Sequence, residues 1–573
     1  MMLAVVPLCA VPLAAWWDGI AGLPSGAVFP LQAQTIGEQV WLVEIGAQPD
    51  AAGSGVAPGG LVGLAIAPLA APDWPADVAS EAPVIRVSDR GWIGEPWDTV
   101  APNTPYPPRL AEPVALEASL PIHPDTVRRL AVTTGEVRLL NGDGQLDALA
   151  GDWAVAGQTV TLRRGPHWRP LHAPLAAFVR IATLRAAGAA VGTSRLAIPL
   201  RPAAAALDVP VCATYAGSGG AEGPATLTGQ FKPRLYGLKR NVDPVLVDPG
   251  LLLFQVHDGS IDSILAVRDR GVALTNAGDL AHYAALASAV VSSGTFKTCL
   301  ATGMLRVGAT PSSLTVDARG DNDAGTGGYN TGSPPGIAAK LLRGPGGVTA
   351  ADSARFVWPV GEAGLWLRGG TVEAALEALA VGVFGWWGTD TDGAYQGGQL
   401  TPPEDQVPGL TIEPWMLAAP PEEIGPPRPP WWRVRIGYQA LGRIQTDEQL
   451  APAVSATDRD AYGKASRTAL ALDAGISAAY PSAADGPDIL SVFDLAADAQ
   501  PLADQLLAVF GRPRRMFQAR IRSGAGGFSW PTMQLGACVA LRWPQHRALA
   551  AGRPLIVQGV SARGDATTLT LWG

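Results

Sequence analysis

The chain has 573 residues and a formal net charge of −8, with 47% hydrophobic and only 16% charged residues. A chain of this length predicts several domains that each bury a core, and an acidic balance without basic runs argues against nucleic-acid binding. The 68 glycines and 51 prolines favour short strands and turns over long helices, so we predict a mainly β (α+β) multidomain protein.

Residues 1–85 predict an acidic, apolar N-terminal module, because they contain seven acids and neither Lys nor Arg. The first residues imitate a signal-peptide core, but they lack its positively charged leader, and Pro7 and Pro12 would interrupt a helix. A mature buried or inter-subunit segment is the favoured interpretation. Strands are predicted at 39–45 and 60–66. No stretch reaches the roughly 18 apolar residues of a membrane span.

Residues 86–205 predict a β-barrel-like domain. Alternating apolar and polar positions predict strands at 135–140, 158–164 and 176–182. The turn residues at 141–144 predict a hairpin between the first two of these strands. We expect the three strands to close a barrel.

The same turn has oxygen-bearing side chains that suit a calcium loop. Asn141, Asp143 and Asp147 have appropriate spacings, and Asp390 with Asp392 is a weaker version. Neither site has the distal bidentate Glu of an EF-hand loop. Asn, Gly and Asp are also the residues that β-turns use for their backbone tolerance. The turn interpretation is favoured, and no metal site is predicted.

Residues 206–334 predict a β-rich middle domain. Its apolar patterns predict two strands at 254–259 and 267–272, joined by a short link, and a further strand at 314–317. A loop rich in Gly, Asn and Asp follows at 320–333.

Residues 335–430 predict a small α/β insert followed by a Pro-rich linker. The clearest helix of this region is expected at 371–380. The composition of residues 420–430 predicts an extended linker. We place a domain boundary near residue 430, with a strand at 431–438 opening the next domain.

Residues 431–573 predict a C-terminal β domain with a helix. The helix has one apolar face and ends at Gly511, which is typical of a helix stop. The residues of that face are Ala499, Leu502, Ala503, Leu506, Leu507, Val509 and Phe510. A basic strand is expected at 514–521.

The last forty residues predict a three-strand meander. Short β-type runs occur at 535–544, 552–560 and 567–573. The turns between them fall at Gly552 and at Gly564-Asp565, where tight hairpins need a positive φ angle.

This C-terminal pattern of helix, basic strand and meander resembles the terminal domain of baseplate or tail-hub (tail tip) proteins of long-tailed bacteriophages and related prophage or gene-transfer particles. The segment at 433–438, followed by Gln445-Thr446 and a helix, is also similar to a hub segment. Asp89-Arg90-Gly91-Trp92 and the stretches at 98–110 and 135–147 resemble the front half of tail-module proteins of proteobacterial prophages. The resemblance implies β-barrel hub-like domains.

The function that the resemblance implies is structural and not enzymatic. The protein would be a baseplate hub that connects the tail tube to distal fibre or spike proteins. Its partners would be the tube or distal tail protein, the fibre or spike proteins and other copies of itself, with a trimer favoured because hubs adapt a sixfold tube to a threefold tip. It would reside in the virion, at the tail tip or baseplate, after assembly in the host cytoplasm. No catalytic, cofactor-binding or metal-binding residue is predicted, and no cofactor.

Two other functions stay open. A receptor- or carbohydrate-binding tail adhesin would stack sugars on some of the 18 tryptophans, with Trp386-Trp387 in the middle insert as the candidate pair. Large aromatic residues more often anchor domain cores or subunit interfaces. A tail-associated cell-wall hydrolase is the second alternative, although the six histidines form no zinc-peptidase motif and no nucleophile elbow is present.

The four cysteines are widely separated. Zinc and iron–sulfur sites usually take at least one close pair of ligands, and Cys9, Cys212, Cys299 and Cys538 supply none. Some phage tail-tip proteins carry an iron–sulfur cluster, so a cluster assembled from distant residues is the alternative to four buried thiols.

Overall fold

The structure is a computed structural model that describes residues 39–46, 48–49, 84–112, 114–120, 122, 131–147, 153–166, 172–201, 207–329, 332–348, 351–390, 393–522, 535–563 and 566–573. The first residues of the chain, the strand predicted at 60–66 and the turn at Gly564-Asp565 lie outside these ranges. The described residues form a multidomain, β-rich fold with few helices, as the composition predicts.

The front part of the described chain consists of short strands. They are β1 (Gln39–Gly46), β2 (Gln48–Pro49), β3 (Val84–Ser88), β4 (Trp92–Ile93), β5 (Pro105–Tyr106), β6 (Leu116–Ser119), β7 (Ala131–Thr134), β8 (Glu136–Leu140), β9 (Trp153–Ala154), β10 (Thr159–Pro166), β11 (Val179–Ala186), β12 (Ala190–Val191) and β13 (Arg195–Arg201). The main sheet has the order β12-β13-β11-β10-β1-β3, and β8 also pairs with β13.

This sheet forms a half-barrel around an apolar core. Alternate residues of its strands point into one cluster, as Val137 and Leu139 of β8 and Val160 and Leu162 of β10 illustrate. The strands predicted at 135–140 and 158–164 are therefore confirmed. The third predicted strand starts three residues later than expected, because Leu175–Ala177 forms a 3-10 turn before β11.

The hairpin predicted between β8 and β10 is wrong. β8 pairs instead with β13, and Leu139 lies opposite Leu196. An alternating strand fixes which face is buried, but it does not specify which other apolar strand will pair with it. The residues at 141–144 still form a turn, yet they do not join paired strands.

The middle part of the chain adds twelve strands and three helices within the described ranges. They are β14 (Arg234–Val242), β15 (Val245–Asp248), β16 (Leu253–Gln255), β17 (Ser263–Asp269), β18 (Val272–Ala273), β19 (Thr275–Asp279), α1 (Tyr283–Ser288), β20 (Thr295–Cys299), β21 (Met304–Val307), β22 (Leu314–Gly320), α2 (Pro334–Arg343), β23 (Gly364–Leu367), α3 (Val372–Gly382), β24 (Gly385–Thr389) and β25 (Tyr395–Gln399).

The middle strands form two sheets and a hairpin. One sheet has the order β18-β17-β22-β14-β23, the second has the order β15-β16-β21-β20-β19, and β24 pairs with β25. The strand predicted at 314–317 is confirmed in β22. The expectation of two joined strands at 254–259 and 267–272 is wrong, because β16 and β17 belong to different sheets and the intervening residues carry the chain from one to the other.

Two helices of this region have clear capping signals. The helix predicted at 371–380 is confirmed as α3, and the Thr371 side chain accepts a hydrogen bond from the Ala374 N–H at its start. Helix α2 was not predicted. Its signal was present, because Ser333 caps it and Pro334 occupies the first helical position, where a missing N–H does no harm.

The C-terminal part contains the remaining described elements. They are β26 (Thr411–Ile412), β27 (Glu422–Glu423), β28 (Trp431–Tyr438), α4 (Ala456–Gly463), β29 (Arg467–Leu472), α5 (Ala474–Ala479), β30 (Ala484–Leu490), α6 (Ala496–Phe510), β31 (Met516–Arg522), β32 (Cys538–Leu541), β33 (Arg553–Arg563) and β34 (Ala566–Trp572). The strand predicted at 431–438 is confirmed as β28. The predicted helix is confirmed as α6, with Gly511 as its C-cap.

The predicted meander is confirmed in a composite sheet. Its order is β26-β32-β33-β34-β31-β27, and β6 of the front part also pairs with β33. The final strand, β34, lies between β33 and β31. The C-terminal sheet therefore includes strands from three of the predicted regions of the chain.

The Pro-rich segment is extended, as predicted, but it lies along the edge of this sheet. Its strand β27 pairs with β31, the Ile424 N–H donates to Met516 O over 2.8 Å, and the Arg428 N–H donates to Arg514 O over 3.1 Å. Proline has no N–H group, so the residues between the prolines supply these hydrogen bonds.

Candidate assembly site

The sheet β29-β28-β30 has one covered and one open face. Helix α6 packs on the covered face, where Val434, Ile436, Ala471 and Ile489 are buried in a core that also contains Leu506 of the helix. Because side chains alternate along a strand, the residues between them point to the other side. We call that other side, formed by Arg433, Arg435, Leu470, Leu472, Asp485, Asp488 and Leu490, the outer face.

On the outer face, each of the three strands contributes a different kind of side chain: leucines on β29, arginines on β28, and aspartates with one leucine on β30. The strand register places Arg435 of β28 between Leu470 of β29 and Asp488 of β30. Leu470, Leu472 and Leu490 are 44%, 53% and 56% exposed. Exposed leucines grouped on one side of a sheet are typical of a surface that another protein covers.

Ion pairs keep the central arginines of the outer face in place. Arg435 donates to Asp488 Oδ1 over 3.0 Å and to Asp485 Oδ2 over 2.9 Å, and Arg433 also pairs with Asp485. These pairs are partly exposed, so each stabilises the fold little by itself. Their effect is to hold the side chains in a regular pattern beside the leucines.

Both outer strands of this sheet are edges. In the described residues, β28 is the only strand that pairs with β29 or β30. Edge strands present free backbone groups that a strand of another molecule can bind. On the β29 edge, one such group is already bonded, because the Gln500 side chain of α6 donates to Leu470 O over 3.0 Å.

A polar joint holds the outer-face sheet against the middle sheets. Arg240 of β14 donates to both carboxylate oxygens of Asp494, over 2.8 and 2.7 Å. The Asn241 side chain donates to Arg443 O over 2.7 Å, and the Gln445 side chain donates to Ser313 Oγ over 3.2 Å. These contacts join residues 132 to 254 positions apart, so they fix the relative position of the two sheets.

A buried carboxylate stands behind this joint. Asp317 of β22 accepts two hydrogen bonds from Arg268, over 2.8 and 2.7 Å, and one from the Asn241 N–H over 2.8 Å. Its side chain is 5% exposed. A buried carboxylate needs such partners because its charge is costly to remove from water.

The cysteines of the described chain are free and buried. They are Cys212, Cys299 and Cys538, and Cys9 lies outside the described ranges. Burial raises the pKa of the Cys212 and Cys538 thiols, which disfavours the thiolate that metals bind. Among the residues that the structure describes, no group of three His, Cys, Asp or Glu side chains is placed to hold a metal ion.

The residues of the turn at 141–147, whose spacing also suits a calcium loop, bond to one another and to an arginine. Asn141 Oδ1 accepts from the Leu146 N–H over 2.9 Å, and the Asn141 amide donates to Asp147 over 2.6 Å. Arg109 donates to both oxygens of Asp143 and, mainly through this hydrogen bonding, lowers the pKa of that carboxyl to about 2. The oxygens that a calcium ion would need are thus engaged in a turn.

We expect calcium to leave the stability of the protein unchanged. The midpoint of thermal unfolding should differ by less than about 1 °C between millimolar calcium and EDTA, because an ion that does not bind the native state cannot stabilise it. Differential scanning calorimetry measures this. A rise in the midpoint with calcium concentration that the Asp143→Ala variant lacks would contradict the turn interpretation.

The Trp386-Trp387 pair is inside the protein. Trp386 is 8% exposed and Trp387 is fully buried, with its ring N–H donating to Glu377 over 3.1 Å. Neither ring is available for stacking on a sugar, and the interpretation as core residues is confirmed. Sequence reasoning did not single out Trp97 and Trp415, which are 67% and 54% exposed.

His257 is a buried histidine of the middle sheets. Its Nδ1 accepts a hydrogen bond from the Leu235 N–H over 2.9 Å, and its Nε2 lies 3.9 Å from Asp321 Oδ1. Burial, together with the positive charges of Arg234 and Lys340, lowers the pKa of His257 to about 3. A neutral imidazole without solvent access supports the backbone and does not serve as a catalytic base.

The low pKa of His257 predicts a loss of stability in acid. Its pKa is near 6.5 when unperturbed, so between about pH 3 and about pH 6.5 the unfolded state binds the extra proton. The stability that this group contributes is complete above about pH 6.5 and is lost as the pH falls. Denaturant titrations should give a slope of unfolding free energy against pH that is smaller in His257→Asn by up to about 1.4 kcal/mol per pH unit. Equal slopes in the two proteins would contradict this prediction.

No helix in the described ranges is long and apolar enough to cross a membrane.

Comparison with known proteins finds structural but not sequence matches. No protein-family model matches the chain, and no curated protein matches it. Its structural neighbours include phage and prophage tail proteins. The 43 kDa tail protein of prophage MuSo2 from Shewanella oneidensis is 11% identical with a TM-score of 0.34, and the match covers 80% of this chain and 91% of that chain.

Two further structural neighbours are a bacterial tail protein and a virion baseplate. A tail protein from Neisseria meningitidis MC58 is 11% identical with a TM-score of 0.33, covering 80% of this chain and 91% of that chain. A topological model of the P2 virion baseplate in its activated conformation is 7% identical with a TM-score of 0.18, covering 80% and 88%. These identities and TM-scores are too low to support a function for this chain.

Proposed function

We propose that the protein is a structural, non-enzymatic subunit of a phage tail tip, a baseplate hub that connects the tail tube to distal fibre or spike proteins. The observation that carries this proposal is the arrangement of the residues that resemble hub proteins. Helix α6, strand β31 and the meander β32 to β34 follow one another as the resemblance requires, and β31 to β34 belong to one sheet.

We infer that the front half-barrel is a closed barrel. The segment after β5 makes hydrogen bonds to β3, at one end of the strand order, and to β8, which pairs with β13. The Leu110 N–H donates to Ser88 O of β3 over 2.9 Å, and the Leu140 N–H of β8 donates to Arg109 O over 2.7 Å. Such a bridge supports closure, because a closed barrel leaves no sheet edge exposed.

The division into regions 1–85, 86–205, 206–334, 335–430 and 431–573 is part of the same proposal. In it, the front barrel and the C-terminal sheet are the hub-like units, and the α/β region at 335–430 is an insert between them. The pairing of β6 with β33 supports a rigid connection between the two hub-like units.

We propose that three copies of the chain form a closed ring through the β29-β28-β30 sheet. The sheet has different edges, β29 on one side and β30 on the other, and the leucines of the outer face lie at both. An interface that joins two different edges is heterologous, and such interfaces close into a ring when the rotation between successive copies closes. Burial of Leu470, Leu472 and Leu490 would supply apolar contact area.

The ring proposal is tested by light scattering coupled to size exclusion on the purified protein. The wild-type mass should be three times the 59.1 kDa of the chain, and Leu470→Glu should give a folded monomer. Leu265→Glu is the matched control, because Leu265 of β17 is 46% exposed, close to the 44% of Leu470, and lies away from the outer face. A trimer that survives Leu470→Glu would exclude this face as the interface.

The proposed partners are the tube or distal tail protein above the ring and the fibre or spike proteins below it, within a virion assembled in the host cytoplasm. A tail adhesin is the second candidate, because Ile93 of β4 is exposed, as are Trp97 and Val100 on the connection from β4 to β5. A glycan-binding screen with Trp97→Ala as control separates the two. Sugar binding that depends on Trp97 would favour the adhesin.

A further inference from the structure

A cavity lies where several elements of the C-terminal part of the chain meet Ile122 of the front part. It has a volume of about 420 Å³ and is lined by residues of the Pro-rich segment, of the start of β28 and β30, of the end of α6 and of β34. The lining residues are Ile122, Arg428, Pro429, Trp431, Ala484, Phe510, Arg512, Arg514 and Trp572. Cavities of this size accommodate small ligands or one or two large side chains.

Three aromatic rings form one wall of the cavity. The Trp431 and Phe510 rings lie 4.2 Å apart between centroids, and the Phe510 and Trp572 rings lie 5.8 Å apart. All three side chains are more than nine-tenths buried. The wall is therefore rigid, and it offers a preformed apolar surface for another aromatic or aliphatic side chain.

The charged residues of the lining are all arginines. Arg514 is engaged, because it donates to Glu404 over 2.8 Å and to Val509 O over 2.6 Å. Arg512 lies 3.3 Å from the same glutamate, but its side chain is 70% exposed. Arg428 is exposed and, within the described ranges, its guanidinium has no hydrogen-bond or ion-pair partner. Glu404 offsets part of the charge of Arg512 and Arg514, and Arg428 adds a further positive charge beside the apolar wall.

The position of Arg428 is set by the sheet. Its backbone N–H donates to Arg514 O over 3.1 Å, so the Pro-rich segment is held along β31 at the cavity. Proline on both sides limits the backbone conformations of this segment. The backbone of Arg428 is therefore held beside the cavity before a ligand binds, so binding does not have to order this segment.

We propose that this cavity binds an acidic peptide segment of a partner protein, in which an aromatic or large aliphatic side chain is adjacent to a carboxylate. The apolar side chain would contact Trp431, Phe510 and Trp572, and the carboxylate would accept hydrogen bonds from Arg428 and Arg512. Guanidinium groups bind carboxylates with two parallel hydrogen bonds, which gives both energy and direction. The charge of the lining selects an acidic over a neutral or basic segment.

Peptide binding to this cavity is measured with the isolated full-length protein, so its outcome does not depend on the tail-tip proposal. The probes are two blocked peptides, acetyl-Gly-Trp-Asp-Gly-amide and its Asn counterpart, in isothermal titration calorimetry. We expect the Asp peptide to bind about tenfold more tightly, which corresponds to the loss of one charged hydrogen-bonded contact. The Arg428→Gln/Arg512→Gln variant should lose this preference.

Two further variants separate binding from folding. Arg467→Gln is the matched control, because Arg467 is an exposed arginine of β29 that does not line the cavity; it should keep the preference. Ala484→Phe should fill the cavity and remove binding of both peptides while circular dichroism stays unchanged. Equal affinity of the wild type for the Asp and Asn peptides, or a preference retained in the double arginine variant, would overturn the proposal.

Discussion

Deletion of residues 566–573 is expected to abolish soluble, folded protein. These residues form β34, which pairs with β31 along one side and with β33 along the other. Its removal would expose two sheet edges at once, and exposed edges pair with other chains and aggregate. The fraction of expressed protein in the soluble phase and its circular dichroism measure the result.

The side chains of β34 explain why its loss should be so severe. Leu569 and Leu571 are fully buried, and Trp572 is 3% exposed and packs against Phe510 of α6. The single change Trp572→Ala should already cost about 3–5 kcal/mol of unfolding free energy. Thr568→Ala, a partly exposed position of the same strand, should cost less than about 1 kcal/mol. A truncated protein that is soluble and has the same oligomeric state as the wild type would contradict this account.

Replacement of Arg268 by Met should be the most damaging single change among the residues of the polar joint and of the buried carboxylate behind it. It removes both hydrogen bonds that Arg268 donates to the buried carboxylate of Asp317. A buried charge left without its partner typically costs about 3–5 kcal/mol of unfolding free energy. Arg240 lies 3.9 Å from the same carboxylate, which places the expected loss toward the lower end of this range.

Arg435→Met provides the matched control for that variant. Arg435 also pairs with carboxylates, but the side chains of Asp485 and Asp488 are 34% and 77% exposed, so water screens these pairs and the loss should be much smaller than in Arg268→Met. Urea unfolding followed by fluorescence measures both variants. Equal losses in the two variants would show that burial of Asp317 does not govern the strength of the joint.

Local signals in the sequence predicted several elements closely. The 3.6-residue apolar period and Gly511 predicted α6, and the alternation at 431–438 predicted β28 with the bounds that the structure has. Alternation did not predict strand partners, so the pairing of β8 with β13 and the separation of β16 from β17 were missed. Pairing depends on contacts between distant residues, which a single strand does not encode.

The candidate site was harder to predict than the fold. The alternation of Leu470 and Leu472 with buried alanines was visible in the sequence, but its meaning depends on α6 covering only one face of the sheet. The joint between Arg240 and Asp494 connects residues 254 positions apart, and nothing local indicates such a pair. The Pro-rich segment was expected to be a linker because of its composition. That composition does not distinguish a free extended segment from one that lies along the edge of a sheet.

The location of the protein in the phage particle tests the tail-tip proposal most directly. Gold-labelled antibodies against the purified chain can be viewed by electron microscopy on particles from the strain that encodes it. The proposal predicts gold at the distal end of the tail. Purified protein added as a competitor should remove this label. Gold along the tail tube or on the head, or particles without label whose tails are intact, would contradict it.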